Sequence, residues 1–308
     1  MAIVHPALVV ASNNSGNLIA NFSILSGNSA QWGGGISNSG TLTISYSTLT
    51  SNAAKGRVFS PAKGGGIYNV GKVTINKSTL NKNVANSGVG GAGAGIFNGG
   101  AAMIVTNSTI AGNSTAGAGG GILSAGQLTI NNSTISGNSG GLPSGIYSPV
   151  ASATLQNSIV ANNSGGNCAG TITSKGYNLS SDGTCDLDGP GDLNSIDPKL
   201  GMLGYYDGPT QTIPLLSGSP AIDAGNPSGC RDSNGNLLKT DQRGMPRPDK
   251  EDKTGCDMGA YERQSGPSCI PFGSPCYGPD GPGQCCPAPF PHHSYCSDPT
   301  GWGICYYN

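Results

Sequence analysis

The sequence predicts an all-β fold in which short strands wind into a parallel β-helix, a solenoid of stacked coils. One observation behind this prediction is a motif that recurs at steps of 24, 31, 30, 25 and 25 residues. The other is a pair of short strand signals that precedes most copies of the motif. A repeat of this length is too short to bury a core alone, so neighbouring units have to stack on one another.

The motif consists of Ser, any residue, an aliphatic residue, two small or polar residues and Asn. Its copies end at Asn28, Asn52, Asn83, Asn113, Asn138 and Asn163. In a stack of coils, these side chains fall directly above one another. We therefore expect a structural Asn ladder, in which each amide hydrogen-bonds to the amides of the coils on either side.

The strand signals are of two kinds. Apolar residues alternate with Thr or small residues in the segments 42–44, 73–75, 103–105, 128–130 and 153–155, and a Gly-Ile pair stands earlier in each unit. Period-two alternation indicates half-buried strands, and glycine permits the corners that turn a strand into a coil. Length differences between units fall at 53–63 and 84–94, which are interpreted as loops at one edge.

The charges are distributed unevenly along the chain. Residues 1–181 contain no Asp or Glu and seven Lys or Arg, whereas residues 182–308 contain all 16 acidic residues and eight basic ones. The two parts carry +7 and −8, which gives the net charge of −1. The first part is too sparsely basic, and too poor in interleaved aromatic residues, for nucleic-acid binding.

The missing carboxylates also bear on catalysis. Glycoside hydrolases need a pair of carboxyl groups, and calcium-dependent lyases need carboxylate ligands. His5 is the one histidine of residues 1–181, and Lys72, Lys77 and Lys82 are spaced as solvated charges. We expect a protein that is not an enzyme and holds no cofactor or metal. A polysaccharide lyase-like enzyme is the disfavoured alternative.

Cysteine usage indicates the compartment. All ten cysteines follow residue 167; Cys168 and Cys185 flank one short loop, and Cys230 and Cys256 flank another. The even number and the absence of any Cys-x-x-Cys pair favour disulfides over a metal site. We expect a secreted protein, extracellular or on the cell surface, and the sequence contains no run that predicts membrane insertion.

The last six cysteines follow the pattern C-x6-C-x8-CC-x9-C-x8-C. This spacing resembles the inhibitor cystine knot (knottin) family, and the resemblance covers residues 269–305. It implies that Cys269 pairs with Cys286, Cys276 with Cys296, and Cys285 with Cys305. Six cysteines allow 15 pairings, so the spacing alone leaves the others open.

Residues 186–264 have a different composition, richer in Pro, Asp and Arg. The segments 208–212, 214–225, 241–248 and 256–262 resemble the choice-of-anchor Q module that ends bacterial β-helix adhesin-like surface proteins. With the repeats, the resemblance covers about residues 10–264. It implies a secreted, non-catalytic surface protein with a right-handed β-helix, the hand that parallel crossovers favour.

These patterns divide the chain into three parts: the solenoid at 1–185, the terminal coils and cap at 186–264, and the knot-like domain at 265–308. An open β-helix end exposes unpaired backbone groups, and the cap covers it. We expect ion pairs among the cap residues Asp241, Arg243, Arg247, Asp257 and Glu262. Residues 232–236 form either a calcium loop or an Asx turn, and they lack the closing Glu of an EF-hand.

The first functional hypothesis is a subunit of an extracellular filament or matrix fibre, a head-to-tail homopolymer. The oppositely charged parts favour such stacking, and a contact that does not close generates a fibre. The candidate polymerisation strand is the apolar run that contains Ala2, Ile3, Val4, Leu8, Val9 and Val10. It either adds to a neighbouring copy or covers its own first coil, and the sequence leaves both open.

The second hypothesis is a monomeric adhesin that binds extracellular carbohydrate. The solenoid walls are rich in Ser, Thr and Asn, and the knot-like domain is rich in aromatic residues. Its candidate glycan-stacking residues are Tyr277, Trp302, Tyr306 and Tyr307. The alternative for these rings is that a domain of this size needs them as its own small core.

Overall fold

The computed structural model describes residues 12–57, 60–87, 90–100, 102–141, 143–249 and 255–264, and the backbone of six short strands between Cys269 and Tyr307. Within these residues all regular structure is β-strand, and the predicted parallel solenoid is confirmed. The candidate polymerisation strand, the cysteine side chains of the knot-like domain, and the rings of Tyr277, Trp302, Tyr306 and Tyr307 lie outside this description.

The solenoid consists of coils that we number 1 to 7, at residues 12–30, 36–63, 67–92, 96–115, 122–136, 146–161 and 168–180. Each coil contributes one strand to each of three or four faces, and successive coils pair in parallel. Each coil therefore adds about one strand spacing, about 4.8 Å, to the length of the solenoid.

The faces are numbered in the order in which the chain meets them. Face 1 contains Ser12–Asn14, Ile36–Asn38, Ile67–Asn69, Ile96–Asn98 and Ile122–Ser124, and face 2 contains Asn17–Asn21, Thr41–Ser45, Lys72–Asn76, Met103–Thr106 and Leu128–Asn131. The strands Ile146–Gln156 and Cys168–Ser174 continue both of these faces. Face 3 contains Ile24–Ser26, Thr48–Thr50, Thr79–Asn81, Thr109–Ala111, Thr134–Ser136, Ile159–Ala161, Leu179–Ser180 and Leu193–Asn194.

Face 4 is shorter and corrects a prediction. Its strands are Ser29–Ala30, Ala53–Lys55, Val84–Asn86 and Ser114–Thr115, and Ala62–Lys63 pairs with Gly91–Ala92 beside it. The segments 53–63 and 84–94, interpreted as loops, therefore contain paired strands. Their small separate core of Ala54, Ala62, Ala85 and Ala94 explains the error, because alanine gives no strand signal.

The in-register pairing stacks one aliphatic side chain on the next inside the coils. Val73 pairs with Leu42 on one side and Met103 on the other, and all three are at most 2% exposed. Burying such a side chain contributes about 1.5–3 kcal/mol, so the repeated column forms one continuous core along the solenoid axis.

Glycine is required where coils approach closely. A Cβ on Gly95 lies 2.5 Å from the carbonyl oxygen of Gly121 in the next coil, whereas a Cβ on Gly16 meets nothing within 4 Å. We expect Gly95→Ala to lower the free energy of unfolding by about 2 kcal/mol, because the backbone must shift. Gly16→Ala is the matched control, expected within about 0.5 kcal/mol of wild type. Chemical denaturation compares the two, and equal stability of both variants would refute the packing argument.

The end of the solenoid after coil 7 is closed by the loop at residues 182–194. Cys185 and Leu187 are buried in the main core, and a disulfide joins Cys185 to Cys168 on coil 7. Leu193–Asn194 then pairs with Leu179–Ser180 as a last short strand on face 3.

Residues 198–264 form what we call the strap. At its described residues, 198–249 and 255–264, the strap has isolated bridges instead of regular strands, and a disulfide joins Cys230 to Cys256. It lies along the side of coils 3 to 7, where Leu215, Ala221 and Met258 form a second core with residues of face 3. The segment interpreted as a cap thus covers the flank of the solenoid.

In the described part of the C-terminal domain, three pairs of short strands are formed. Cys269–Ile270 pairs with Gln284–Cys285, Tyr277–Gly278 with Gly281–Pro282, and Ser294–Cys296 with Cys305–Tyr307. The described residues include no helix that is long and apolar enough to cross a membrane.

Candidate functional site

The motif asparagines lie in register at the corner that follows face 3. Each amide nitrogen donates to the amide oxygen of the next coil at 2.9–3.1 Å, along Asn28, Asn52, Asn83, Asn113, Asn138 and Asn163. Asn163 continues the series to Asn167 at 3.0 Å. Asn167 was missed from the sequence because it follows Asn163 within the same unit and does not end a motif of its own.

A second series of amides lies at the end of each face 1 strand. Asn14, Asn38 and Asn69 each donate to the next amide oxygen at 2.6–2.7 Å, and Asn98 donates to the hydroxyl of Ser124 at 2.9 Å. Sequence reasoning missed this series. The sequence pattern that could have predicted this series is Gly-Ile-x-Asn, of which only the Gly-Ile pair serves above as a strand signal.

The motif serines form a third series. The backbone N–H of Ser47 donates to the Ser78 hydroxyl at 3.1 Å, and Ser78 N–H donates to Ser108 in the same way. Three parallel series of hydrogen bonds thus run along the axis in addition to the strand pairing. Because buried polar groups must be paired, each coil specifies the register of its neighbour.

On each of coils 1 to 6, one residue at the corner between faces 2 and 3 adopts a left-handed conformation. We call this set the corner column; its φ values are 45–50° at Phe22, Tyr46, Lys77, Asn107, Asn132 and Asn157. Asparagine tolerates this conformation better than other residues with a Cβ. On coils 4 to 6 the corner residue is therefore well suited to its backbone.

The corner column is also where the strap attaches. Asn107 donates to the carbonyl of Thr240 at 3.0 Å, Asn132 donates to that of Arg231 at 2.8 Å, and Asn157 donates to that of Asp257 at 2.8 Å. On coil 3, Lys77 Nζ donates to the Thr240 hydroxyl. The strap is thus fixed to one residue of each coil from 3 to 6.

Two buried ion pairs hold the strap itself. Arg247 Nε lies 2.7 Å from Glu262 Oε2, and Arg243 Nε lies 2.8 Å from Asp241 Oδ2, with all four side chains at most 3% exposed. These are the ion pairs that the sequence predicted. The prediction also included Asp257 among the ion-paired residues. The carboxylate of Asp257 instead accepts hydrogen bonds from the backbone N–H groups of Asp223 and Arg263.

The Arg247 guanidinium connects the strap to the solenoid. It also donates to Asn107 Oδ1 at 2.9 Å and to the carbonyl of Gly259 at 2.9 Å. The Arg243 guanidinium lies 3.7 Å from the centre of the Tyr261 ring, in a cation–π contact. These carboxylates and cations are therefore engaged in bonds within the strap and between the strap and the solenoid.

Burial raises the pKa of Asp257 to about 6, although backbone hydrogen bonds and Arg247 oppose the shift. Because the raised pKa favours the protonated form in the folded state, its stabilisation is present below pH 4 and is lost as the pH rises through about 6. We expect the contribution of Asp257 to the free energy of unfolding to fall by up to about 3 kcal/mol between pH 4 and pH 7. Burial also raises the pKa of Glu262.

The variant Asp257→Asn isolates this contribution, since it removes the titrating group. Denaturation curves at pH 4 and pH 7 should differ less for Asp257→Asn than for wild type. Asp186→Asn, at an exposed position outside the strap, is the control and should keep the wild-type difference. An identical pH dependence in all three proteins would contradict the assignment to Asp257.

Two groups of stacked aromatic rings lie on the surface. Trp32, which lies just before the face 1 strand of coil 2, stacks on Tyr68 of face 1, and Tyr68 stacks on Phe97, with centroids 5.3 and 5.4 Å apart. Lys63 Nζ lies 4.7 Å from the centre of the Phe97 ring. In the corner column, Phe22 stacks on Tyr46 at 4.8 Å. Sequence reasoning missed both groups, because their members stand 24 to 36 residues apart in the chain.

Strands at both ends of the described solenoid pair on one side only. The four strands of coil 1 each pair with coil 2 and with no other described strand. At the far end, Cys168–Ser174 pairs with Ile146–Gln156 alone, and Gly170 and Thr171 on it are exposed. A strand edge of this kind is a template for adding another strand.

The other candidate residues are dispersed. Lys72 and Lys82 are exposed on coil 3, at the start of its face 2 strand and after its face 3 strand, and Lys77 is buried between them against Tyr46 and Thr240. Asp232 Oδ1 accepts the backbone N–H groups of Asn234 and Asn236 at 2.9 Å, which is an Asx turn. Among the described residues, no group of three or more His, Cys, Asp or Glu side chains is placed to hold a metal ion.

The chain was compared with models of protein families, with curated proteins and with solved structures, and none of the three comparisons found a match. The solenoid, its three series of hydrogen bonds, the strap and the two disulfides therefore carry the functional argument.

Proposed function

We propose that this protein is a non-catalytic extracellular structural protein, the subunit of a head-to-tail filament or matrix fibre. Residues 2–10 of one copy add as a strand to the part of the Cys168–Ser174 edge that the closing loop leaves exposed in the next copy. The observation that carries the proposal is this exposed edge at Gly170 and Thr171, at the end of the solenoid opposite to coil 1.

The positions of the two segments suit a fibre. Residues 2–10 lead directly into coil 1, so a bond to coil 7 of a neighbour joins opposite ends of two molecules. Such a contact does not close on itself and propagates. The main-chain hydrogen bonds of an added strand supply the affinity, and the apolar side chains of residues 2–10 supply further contact.

Charge supports the same orientation. The closing loop at residues 182–194 contains four Asp and no Lys or Arg, and Asp186 and Asp188 on it are exposed. Coil 2 and its loop contain Lys55, Arg57 and Lys63 and no acidic residue. Opposite charges therefore face the junction from its two sides when molecules align head to tail, although salt screens their attraction beyond about 8 Å.

The compartment follows from the disulfides. The pairs Cys168–Cys185 and Cys230–Cys256 are typical of an oxidising, extracellular environment. We propose secretion on this basis.

The test is electron microscopy of the protein with and without residues 1–10, in the presence of two synthetic peptides. One peptide has the sequence of residues 2–10, and the other carries Val4→Lys and Leu8→Lys. We expect the full chain to form fibres, which the deletion abolishes and which the first peptide alone shortens. Separate rods of one length in every sample would refute the proposal, provided that circular dichroism shows the same fold in all of them.

A carbohydrate-binding adhesin is the second candidate, and the stack of Trp32, Tyr68 and Phe97 favours it. Trp32 is 39% exposed, and Lys63 lies beside the stack as a hydrogen-bond donor. Aromatic faces offer apolar contact to the C–H groups of a sugar ring. The test measures how much of the protein is retained on insoluble polysaccharides. Retention that is lost in Trp32→Ala and kept in Val150→Ala would support this candidate. Loss of retention in Tyr306→Ala would instead place the binding in the C-terminal domain.

A further inference from the structure

The corner column changes in character where the strap ends. From coil 3 to coil 6 its residues bind the strap, whereas on coils 1 and 2 they are Phe22 and Tyr46, outside the reach of the strap. Phe22 adopts φ of 46° and is 44% exposed. An aromatic residue is unfavourable in this conformation, and asparagine occupies the same position on three other coils.

Phe22 belongs to a larger apolar surface. Ile19, 74% exposed, and Ile24, 36% exposed, flank it on faces 2 and 3, and Tyr46 stacks beneath it. We call Ile19, Phe22, Ile24 and Tyr46 the first-coil apolar surface. A strained backbone that presents an exposed aromatic ring on an apolar patch is typical of a surface that another segment covers.

The described chain reaches the vicinity of this surface at its last residue before the C-terminal domain. Gln264 Nε2 donates to the carbonyl of Pro246 at 3.0 Å, and Pro246 forms a bridge with Thr240. Thr240 in turn accepts from Lys77, whose Nζ lies 5.2 Å from the centre of the Tyr46 ring. A relay of contacts through Pro246, Thr240 and Lys77 therefore connects the exit of the chain at Gln264 to Tyr46, on which Phe22 stacks.

We propose that the C-terminal domain, residues 265–308, packs on the first-coil apolar surface of its own chain. A segment of this length buries too little surface to form a large core, so packing on another part of the molecule adds to the stability that its disulfides supply. Coil 1 contains no charged residue, and the contact that we propose is therefore an apolar one with Ile19, Phe22 and Ile24.

Photo-crosslinking of the full chain tests the occupant. Phe22 is replaced by p-benzoylphenylalanine, and unlabelled and ¹⁵N-labelled protein are mixed before irradiation. We expect crosslinked peptides from residues 265–308, with both partners carrying the same label. Crosslinks to residues 1–11, or between differently labelled chains, would overturn the proposal in favour of the N-terminal segment or a second copy.

Hydrogen–deuterium exchange supplies a second measurement that does not depend on the crosslinker. The variant Phe22→Asn keeps a residue that this backbone conformation favours, as on coils 4 to 6, and removes the ring. We expect exchange in residues 265–308 to accelerate about tenfold or more, as the loss of a buried aromatic contact implies. Val150→Asn, at a site 78% exposed on coil 6, is the control. Equal exchange in Phe22→Asn and Val150→Asn would overturn the proposal.

Discussion

Replacing Arg247 with alanine is expected to lower the free energy of unfolding by about 4 kcal/mol. The guanidinium pairs with Glu262 at 2.7 Å and also bonds to Asn107 and Gly259, and both ion-pair side chains are fully buried. Its removal leaves a buried carboxylate and a buried amide oxygen without this partner, in a site that water does not reach. Denaturation followed by circular dichroism measures the loss.

The double variant Arg247→Met, Glu262→Leu distinguishes two quantities. One is the cost of leaving a buried charge unpaired, and the other is the net contribution of the ion pair to the free energy of unfolding. It should recover much of the stability lost in Arg247→Ala, since apolar side chains of similar volume replace buried ion pairs with little loss. Lys239→Ala, an exposed cation of the strap, is the control and should change stability by less than about 0.5 kcal/mol. A loss below about 1 kcal/mol in Arg247→Ala would contradict the structural role of the pair.

Asn113→Ala, in the middle of the Asn ladder, is expected to lower the free energy of unfolding by about 3–5 kcal/mol. Asn113 Oδ1 accepts the backbone N–H and the side-chain amide of Asn83, and Asn113 Nδ2 donates to Leu80 O and to Asn138 Oδ1. Alanine keeps the strand but removes these four bonds. Each polar group left buried and unpaired adds its own penalty.

The matched control is Asn28→Ala at the first position of the same ladder. Asn28 is half-buried, and its side-chain amide donates to Asn52 Oδ1 on the next coil at 3.1 Å, so we expect a loss of about 1 kcal/mol. If Asn28→Ala and Asn113→Ala lowered the free energy of unfolding by similar amounts, the ladder would not stabilise the protein by pairing buried polar groups. Native-state hydrogen exchange should also show the largest loss of protection in the coils on either side of residue 113.

The repeat made the solenoid predictable because its chemistry is local and periodic. Segments such as 42–44 and 73–75 lie within Thr41–Ser45 and Lys72–Asn76, and the motif asparagines fall one above another. The Asn series of face 1 is equally periodic, but Asn two positions after a Gly-Ile pair is also typical of a surface turn, so its place inside the coil is evident only from the stacking. Face 4 was missed since its core is alanine.

The strap was not predictable to the same degree. Nothing in its sequence repeats, and whether such a segment covers the end of a solenoid or its flank depends on contacts between residues far apart in the chain. Arg247 bonds to Asn107, at a sequence separation of 140. The residue types of the ion pairs could be predicted from the sequence, but their attachment to the corner column could not. The exposed rings of Phe22 and Trp32 also become adjacent to their partners only after coiling.

The strap also fixes the number of coils that it spans. It is attached at Lys77 on coil 3 and at Asn157 on coil 6, so its length matches three coil spacings, about 14 Å. An extra repeat inserted between these coils would move the attachment points apart by about 4.8 Å, and each later contact would lose its partner. A repeat inserted before coil 3 would leave every strap contact in place. Variation in repeat number should therefore be tolerated at the N-terminal end of the solenoid and selected against in its middle.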